Sequence, residues 1–457
     1  MNLQGKTVLV MGLGDTGLAA ARWLAGQGAR VRVADSRATP PNAGALQAEV
    51  PAAIPVFGPF SNDLWADADL IVLSPGLTRR QPVLAAARAA GLEVIGDVEL
   101  FARVLGGLRP PPRVLAITGS NGKSTVTQMT GDLCRAAGLR TVVAGNIGLP
   151  VLNALETAAR EGYPDVYVLE LSSYQLETLT HLDATAATVL NISEDHLDRY
   201  VDLEDYTAAK VAIFRGHGRM VLNRDDPACA AMAWPGREAV SFGLNPPPDP
   251  ADFGLIESSR EHWLCQGAQK LMPARELPLE GRHNAANALA ALALCRTLDL
   301  PYAPLLQALR QFHGLPHRVE KVAEIAGVVF IDDSKGTNVG ATEAALRGMD
   351  RPVVLIAGGD GKGQDFRPLR NALATARAVV LIGRDAPLIA AALEGTPLPV
   401  LRAVDMDDAV RQAFALAQPG DAVLLSPACA SWDMFRNYAH RAEAFIAAAR
   451  ALSGEAG

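Results

Sequence analysis

Short, continuously apolar runs recur along this chain of 457 residues, and each ends in a turn rich in glycine, proline or polar residues. Such runs are typical of strands buried on both faces of a parallel sheet. Helical patterns separate them, which favours right-handed βαβ units over an all-β or all-α fold. The predicted strands are residues 6–11, 30–34, 69–73, 114–118, 165–169, 187–190, 219–222, 328–331, 353–357, 378–382 and 422–425.

Breaks in composition divide these runs into three groups. A proline-rich stretch at 109–113 precedes the second group, and the Gly-Leu-Pro of 314–316 precedes the third. A chain of this length holds roughly three domains of about 150 residues. We therefore predict an α/β protein with an N-terminal Rossmann-like domain, a central P-loop ATPase-like domain and a C-terminal Rossmann-like domain, at residues 1–96, 97–314 and 315–457. Both junctions are predicted hinges.

Composition limits the class of partner. The 42 Lys and Arg against 49 Asp and Glu give a net charge of −7, which offers no electrostatic surface for nucleic acid or anionic membrane. The five cysteines are scattered and form no CxxC pair, which suits a reducing compartment. Because we find neither a signal peptide nor a long apolar stretch, we expect a cytoplasmic protein without membrane insertion.

The segment 118–125, with the sequence TGSNGKST, predicts a phosphate-binding loop because it joins a strand to a helix. In such a loop Lys123 contacts the terminal phosphates and the Ser124 hydroxyl binds Mg²⁺. Ile117 stands where the full P-loop pattern has its first glycine. Glu170 ends the strand 165–169, a position suited to an acidic residue that supports the magnesium site. The sequence therefore predicts nucleotide binding here.

Two further residues lie in polar segments downstream. His196 belongs to the segment 191–198, and Lys210 lies in a short predicted helix. Taken singly they are typical of a surface histidine and a solvated lysine. They become candidate site residues only if they share a site with Glu170.

The N-terminal pattern Gly12-x-Gly14-x-x-Gly17 follows a strand and opens a helix, and Asp35 ends the next strand. This pattern predicts a dinucleotide site, so an NAD-dependent oxidoreductase is one candidate. A dehydrogenase has no use for a second phosphate loop, and the same turn suits other nucleotide diphosphates. A P-loop ATPase that acts as a motor or switch is a third candidate.

Taken together, the motifs resemble those of the Mur ligases, most closely the glutamate-adding branch, over essentially the whole chain. The incomplete P-loop is part of the resemblance. The matching segments are 12–17, 118–125, 145–150, 169–177, 191–200, 206–210, 281–291, 315–320, 332–338, 358–366 and 426–435.

The resemblance implies an ATP-dependent amide ligase that adds D-glutamate to UDP-N-acetylmuramoyl-L-alanine through an acyl phosphate, in peptidoglycan precursor synthesis. It implies ATP as co-substrate and two Mg²⁺ sites, and we expect a monomer. No residue distinguishes D- from L-glutamate. The resemblance places the catalytic roles at Lys123, Glu170, His196 and Lys210.

The resemblance also assigns binding roles. The UDP-substrate residues are Gly14, Asp15, Thr16, Asp35, Arg37, Ser74, Pro75, Gly76 and Asn146. The ATP residues are Thr118, Gly119, Ser120, Asn121, Gly122, Lys123, Ser124, Thr125, Asn284, Asn287, Arg318 and Asp333. The resemblance implies that Ser124 and Glu170 bind one Mg²⁺. It implies that His196 and Lys210 bind the second, with the lysine modified to a carbamate. The residues that would bind the substrate glutamate are Thr337, Lys362, Ser431 and Tyr438. This chain departs from the family pattern at Tyr438 and at Trp432.

Overall fold

The computed structural model describes residues 1–61, 63–279 and 281–455, which form three sheets with helices between their strands. Contacts divide the chain into two compact units. The first unit comprises Met1–Asn191, Thr207–Met272 and Ala288–Leu309, and the second comprises Ile192–Tyr206, Pro273–Asn287 and Arg310–Gly457. Among the described residues, no helix is both long enough and apolar enough to cross a membrane.

The N-terminal sheet has five parallel strands in the order β3-β2-β1-β4-β5. Strand β1 lies between β2 and β4, so the turns that follow β1 and β4 open at the same edge of the sheet. The elements are β1 Thr7–Met11, α1 Asp15–Gly26, β2 Arg30–Asp35, α2 Ala43–Glu49, β3 Ile54–Phe57, β4 Leu70–Leu73, α3 Pro82–Ala89, β5 Val94–Ile95 and α4 Asp97–Gly106.

The central sheet has nine strands in the order β14-β13-β12-β11-β10-β9-β6-β8-β7. Strands β6 to β11 run parallel, whereas β12 and β13 form an antiparallel pair at one side. The elements are β6 Arg113–Thr118, α5 Lys123–Ala136, β7 Thr141–Gly145, α6 Val151–Glu161, β8 Val166–Glu170, α7 Ser173–Leu176, β9 Ala186–Val189, α8 Leu203–Val211, β10 Arg219–Asn223, α9 Pro227–Ala230, β11 Ala239–Phe242, β12 Phe253–Ser258, β13 Glu261–Gln266, β14 Gln269–Pro273, α10 Arg282–Arg296 and α11 Tyr302–Gln311.

The C-terminal sheet has six strands in the order β15-β16-β20-β17-β18-β19, all parallel except β15. Apolar clusters cover both of its faces. The elements are β15 Glu320–Ile325, β16 Val328–Asp332, α12 Val339–Gly348, β17 Val353–Gly358, α13 Leu369–Ala372, β18 Ala378–Ile382, α14 Ala386–Ala392, β19 Val400–Arg402, α15 Met406–Leu416, β20 Ala422–Leu425 and α16 Tyr438–Glu455.

The predicted α/β class and every predicted strand are confirmed, with strand ends that differ by a residue or so. Helix α1 begins at Asp15, inside the glycine pattern, because Gly14 is extended and serves as the N-cap, and the Asp15 carboxylate suits the first turn. Nine strands were not predicted, because most of their side chains are only partly buried and they lack the continuous apolar run of the central strands. They are β3, β5, β7, β11, β12, β13, β14, β15 and β19.

Candidate functional site

Many of the predicted site residues lie just after a strand whose two neighbours in the sheet are connected to it in opposite directions along the sheet. Strand β1 lies between β2 and β4, β6 lies between β8 and β9, and β20 lies between β16 and β17. Ligands of open α/β sheets bind in the crevice beyond the carboxyl ends of such strands. Each of the three sheets therefore presents one candidate binding edge.

The glycines of the N-terminal turn are required by the protein's own packing. Gly12 has φ +92°, and a Cβ there would lie 2.8 Å from the Cβ of Ser74. A Cβ at Gly17 would lie 1.8 Å from the Gly12 carbonyl oxygen. Gly14 is different, because a Cβ there meets nothing within 4 Å. The N-terminus of α1 at Gly14 and Asp15 therefore stays open to a phosphate group.

Asp35 organises this turn through its carboxylate. Its Oδ2 accepts the Leu13 N–H at 2.7 Å and an Arg37 guanidinium N–H at 2.7 Å. Its Oδ1 accepts the backbone N–H and the Nε–H of Arg37. The Arg37 bond, together with the backbone bonds, lowers the pKa of Asp35 to about 2. A carboxylate has about four acceptor positions, and here Leu13 and Arg37 use them, so a direct contact of Asp35 with the UDP substrate stays a prediction.

The phosphate loop is shaped by two glycines. Gly119 has φ +149° and lies so close to Leu190 that a Cβ would be 3.0 Å from that residue's Cβ. Gly122 has φ +81° and is the N-cap of α5. The Lys123 ammonium donates to the carbonyls of Gly119 and Ser120 at 2.8 and 2.9 Å. The loop thus presents the N-terminus of α5 and a lysine at the carboxyl end of β6.

Asn191 holds this loop in place, and the sequence analysis did not single it out. Its Oδ1 accepts the Asn121 N–H at 2.8 Å, and its Nδ2 donates to the Asn121 carbonyl at 3.0 Å. Its carbonyl also accepts the Ser120 N–H. Asn191 follows β9, which pairs with β6, so only the strand order reveals this role.

Glu170 ends β8 beside the phosphate loop and is 1% exposed. Its Oε1 accepts the Asn146 side-chain N–H at 2.7 Å, and its carbonyl accepts the Asn146 backbone N–H at 2.8 Å. Its Oε2 is buried and has no hydrogen-bond partner. Gly145 has φ +115°, and a Cβ there would lie 2.2 Å from the Glu170 carbonyl. Burial of a carboxylate oxygen without a hydrogen-bond partner is costly, and a bound cation would remove that cost. Glu170 Oε2 is therefore suited to be a cation ligand.

Lys210 is also buried against the loop, at 1% exposed. Its ammonium donates to the Gly119 carbonyl at 2.9 Å and lies 3.4 Å from the Thr118 hydroxyl oxygen. Helix α8 carries it, as predicted. Ser124, in the first turn of α5, is 1% exposed. The first unit thus brings together Ser124, Glu170 and Lys210 around the phosphate loop, which fits a magnesium site with oxygen ligands.

The remaining UDP-substrate candidates lie in the first unit as well. Ser74, Pro75 and Gly76 follow β4, and Thr16 lies in the first turn of α1. The side-chain and backbone nitrogens of Asn146 both donate hydrogen bonds to Glu170. Its predicted contact with the UDP substrate stays a prediction.

In the second unit, His196 lies in a loop with φ +57°. The preceding Asp195 is buried, and its carboxylate binds the Lys362 ammonium at 2.6 Å and the Asn338 side-chain amide at 3.2 Å. The segment that carries His196, a predicted metal ligand, is thereby bonded to Lys362, which is predicted to bind the substrate glutamate. Lys210 belongs to the other unit, so a metal site shared by His196 and Lys210 stays a prediction.

The nucleotide candidates of the second unit include a second buried carboxylate. Asp333 follows β16, and its Oδ2 accepts the Ser426 hydroxyl at 2.7 Å. Burial raises the pKa of Asp333 to about 7, while the positive charge of Arg318 opposes this shift. Asn284 and Asn287 lie one turn apart at the start of α10, joined by a side-chain hydrogen bond of 3.1 Å.

The glutamate candidates lie in loops around β20. Thr337 follows β16, Ser431 follows β20, and Tyr438 begins α16. The Tyr438 ring packs edge-on against His317, with ring centroids 6.1 Å apart. Arg441, one turn further along α16, also contacts these loops, although the sequence analysis assigned it no role.

Family profiles match three parts of the chain. Residues 6–96 match the Mur ligase MurD-like N-terminal domain, residues 117–295 the Mur ligase middle domain, and residues 317–429 the Mur ligase glutamate ligase domain.

Two curated relatives are similar over nearly the full length. The UDP-N-acetylmuramoylalanine–D-glutamate ligase of Thiobacillus denitrificans is 59% identical, and the alignment covers 100% of this chain and 98% of that protein. The ligase of the same name from Aromatoleum aromaticum is 57% identical, with 98% of each chain covered.

Among solved structures, the UDP-N-acetylmuramate-alanine ligase MurC of Thermotoga maritima superimposes with a TM-score of 0.61 at 20% identity, over 98% of this chain and 100% of that one. A pseudomurein peptide ligase type C from Methanothermus fervidus gives a TM-score of 0.60 at 20% identity, over 97% and 99% of the two chains. These structures share the fold, and the closer sequence relatives share the family. The chain therefore belongs to the Mur ligase family.

Proposed function

We propose that the chain is an ATP-dependent, ADP-forming ligase that joins D-glutamate to UDP-N-acetylmuramoyl-L-alanine in peptidoglycan precursor synthesis. The observation that carries this proposal is the 59% identity, over the whole chain, to a relative with that name. The phosphate loop and the buried Glu170 support it, because both suit phosphoryl transfer.

We assign one ligand to each predicted domain. Residues 1–96 bind the UDP substrate, residues 97–314 bind ATP, and residues 315–457 bind glutamate. The chain acts as a monomer in the cytoplasm. Three ligands on three domains require the domains to close before reaction, so that water does not intercept the reactive intermediate.

The first step activates the substrate carboxylate, whose oxygen is otherwise a poor leaving group. A carboxylate oxygen attacks the γ-phosphorus of ATP, and the bond from that phosphorus to the β,γ-bridging oxygen breaks. The products are an acyl phosphate and ADP. Lys123 exchanges its two carbonyl acceptors for the β- and γ-phosphates, and the N–H groups at the start of α5 bind phosphate oxygens. Catalysis here rests on positioning and electrostatics.

Magnesium fits the buried donors of this site. Ser124 and Glu170 would hold one ion, and His196 with Lys210 as its carbamate would hold a second, and the ions would offset the repulsion between carboxylate and triphosphate. The carbamate replaces the ammonium by oxygen ligands, which a hard cation requires. Asn146 fixes Oε1 of Glu170 and leaves Oε2 for the ion.

In the second step the glutamate amine attacks the acyl carbon and phosphate leaves with its electron pair. Thr337, Lys362, Ser431 and Tyr438 orient the glutamate. The amine must lose its ammonium proton before attack, and the structure assigns no residue to that transfer.

Phosphate release by the purified protein tests this proposal. We expect release only when ATP, Mg²⁺, UDP-N-acetylmuramoyl-L-alanine and D-glutamate are all present, with L-glutamate inactive. Lys123→Met should abolish release, whereas Lys321→Met, at an exposed lysine of β15, should leave it unchanged. Release without the amino acid would instead indicate an ATPase, and NAD(P)H oxidation without ATP would indicate a dehydrogenase.

A further inference from the structure

Arg441 is a buried cation that the mechanism above does not use. Its side chain is 1% exposed and is among the largest fully buried side chains of the described residues. The guanidinium donates from Nε to the Ser334 hydroxyl at 3.0 Å and from Nη2 to the Ser334 carbonyl at 2.7 Å. From Nη1 it donates to the Cys429 carbonyl at 3.1 Å. All three acceptors are neutral.

Within the part of the chain that the structure describes, no carboxylate lies within ion-pair distance of this guanidinium. Asp332, Asp333 and Asp433 act on it only at longer range. Asp332 and Asp333 are themselves engaged, the first with His317 and the second with Ser426. Arg441 therefore has no direct carboxylate partner among the described residues, and its charge is offset only at a distance.

Burial of an unpaired charge is costly, and a neutral donor could make the same hydrogen bonds to carbonyl oxygens. Burial accordingly lowers the pKa of Arg441 to about 10. An anion that binds near these loops would supply the opposite charge that Arg441 lacks in direct contact.

The loops that Arg441 joins are the predicted amino-acid pocket. Ser334 precedes Thr337 by three residues, and Cys429 precedes Ser431 by two. The Ser334 hydroxyl accepts a hydrogen bond from Arg441 and donates one to the Tyr438 carbonyl at 2.8 Å. One guanidinium therefore fixes the loops after β16 and β20 and the start of α16 relative to one another.

The other pocket cation differs in its electrostatics. Lys362 forms an ion pair with Asp195 at 2.6 Å, and both side chains are largely buried. Its charge is neutralised locally, so it contributes less than Arg441 to the potential that a ligand carboxylate experiences. In a low-dielectric pocket a charge acts over several ångströms without direct contact.

We propose that Arg441 is a positioning and specificity residue, which holds the pocket loops together and whose charge selects an amino acid with a side-chain carboxylate. The proposal rests on the proposed ligase function. It predicts that charge and loop positioning are separable, because a lysine retains the charge but not the three-way bonding.

The test compares D-glutamate with D-glutamine, which differ chiefly in the side-chain charge. For wild type and variants, we would measure kcat and KM for D-glutamate, and use D-glutamine both as acceptor and as competitor. Arg441→Met and Arg441→Gln should lower the preference for D-glutamate about tenfold or more. Arg441→Lys should keep the preference while kcat falls, and Arg450→Gln, at an exposed arginine of the same helix, should resemble wild type.

The glutamine variant retains an amide donor for the Ser334 carbonyl, so it protects the fold if the methionine variant does not purify. Neutral variants that bind both amino acids more weakly by the same factor would overturn the proposal, because that is the result of a purely structural role. A lysine variant that loses the preference would overturn it as well. Failure of the wild-type protein to ligate glutamate at all would instead refute the proposed function.

Discussion

Removal of the Asn191 side chain should weaken ATP use selectively. In the structure this side chain makes two hydrogen bonds to the Asn121 backbone, at 2.8 and 3.0 Å. A hydrogen bond of this kind contributes about 1 kcal/mol net, so Asn191→Ala should lower the free energy that favours the ordered loop by about 2 kcal/mol. That corresponds to about a 30-fold smaller population of the ordered loop.

This factor is an upper bound, because the Ser120 N–H still bonds the backbone carbonyl of residue 191. We therefore expect kcat/KM for ATP to fall by about tenfold. The KM for the UDP substrate and for glutamate should change little, since the change is confined to the phosphate loop. Phosphate release with ATP varied at saturating co-substrates measures the effect.

Asn223→Ala is the matched control. The Asn223 side chain also donates to this segment, at the Leu190 carbonyl at 2.7 Å, but it makes no bond to the phosphate loop itself. It should lower stability without a comparable effect on ATP. A normal kcat/KM for ATP in a folded Asn191→Ala protein, or an equal loss in the control, would refute this account of the loop.

Three further predictions concern single residues. Gly145→Ala should destabilise the protein and remove activity, because the new Cβ meets the Glu170 carbonyl at a positive φ, whereas Gly44→Ala, in open space on α2, should be neutral or slightly stabilising by thermal unfolding. Burial raises the pKa of Asp97 to about 6, so its ionisation disfavours folding increasingly as pH rises from about 4 through 6. Asp97→Asn should therefore raise the melting temperature at pH 8 but not at pH 4, reflecting at most about 3 kcal/mol. Lys210→Ala should be inactive and regain activity with a short carboxylic acid; full activity without the acid would contradict the carbamate.

The sequence was sufficient for the parts of the fold that follow from local pattern. Continuous apolar runs predicted the buried central strands of each sheet. The glycine turns after β1 and β6 were located correctly because φ values such as +92° at Gly12 and +81° at Gly122 favour glycine. Strands such as β3, β7 and β12 were not predicted because many of their side chains are only partly buried. Sheet order also could not be read, since it depends on which strands pair.

Sheet order is why the supporting residues of the site were missed. Asn191 was not predicted, and it matters because β9 lies beside β6. Asn146 was predicted only as a UDP-substrate residue, and its bond to Glu170 arises because β7 lies beside β8. Arg441 matters because α16 begins beside the loops that follow β16 and β20. Each of these residues acts on a partner far away in sequence, whereas the motifs identify only residues that share one loop.

The hydrogen bonds of Lys123 and Lys362 affect how this acidic chain binds its anionic substrates. Lys123 donates to the neutral carbonyls of Gly119 and Ser120, so a phosphate that takes their place is a stronger acceptor and the exchange is favourable. Lys362 is paired with the Asp195 carboxylate, so a glutamate carboxylate must compete with an existing ion pair of similar strength. Direct contact with Lys362 therefore yields little net affinity for glutamate. The attraction must come from a cation without a carboxylate partner, and among the described residues of these loops Arg441 meets that condition.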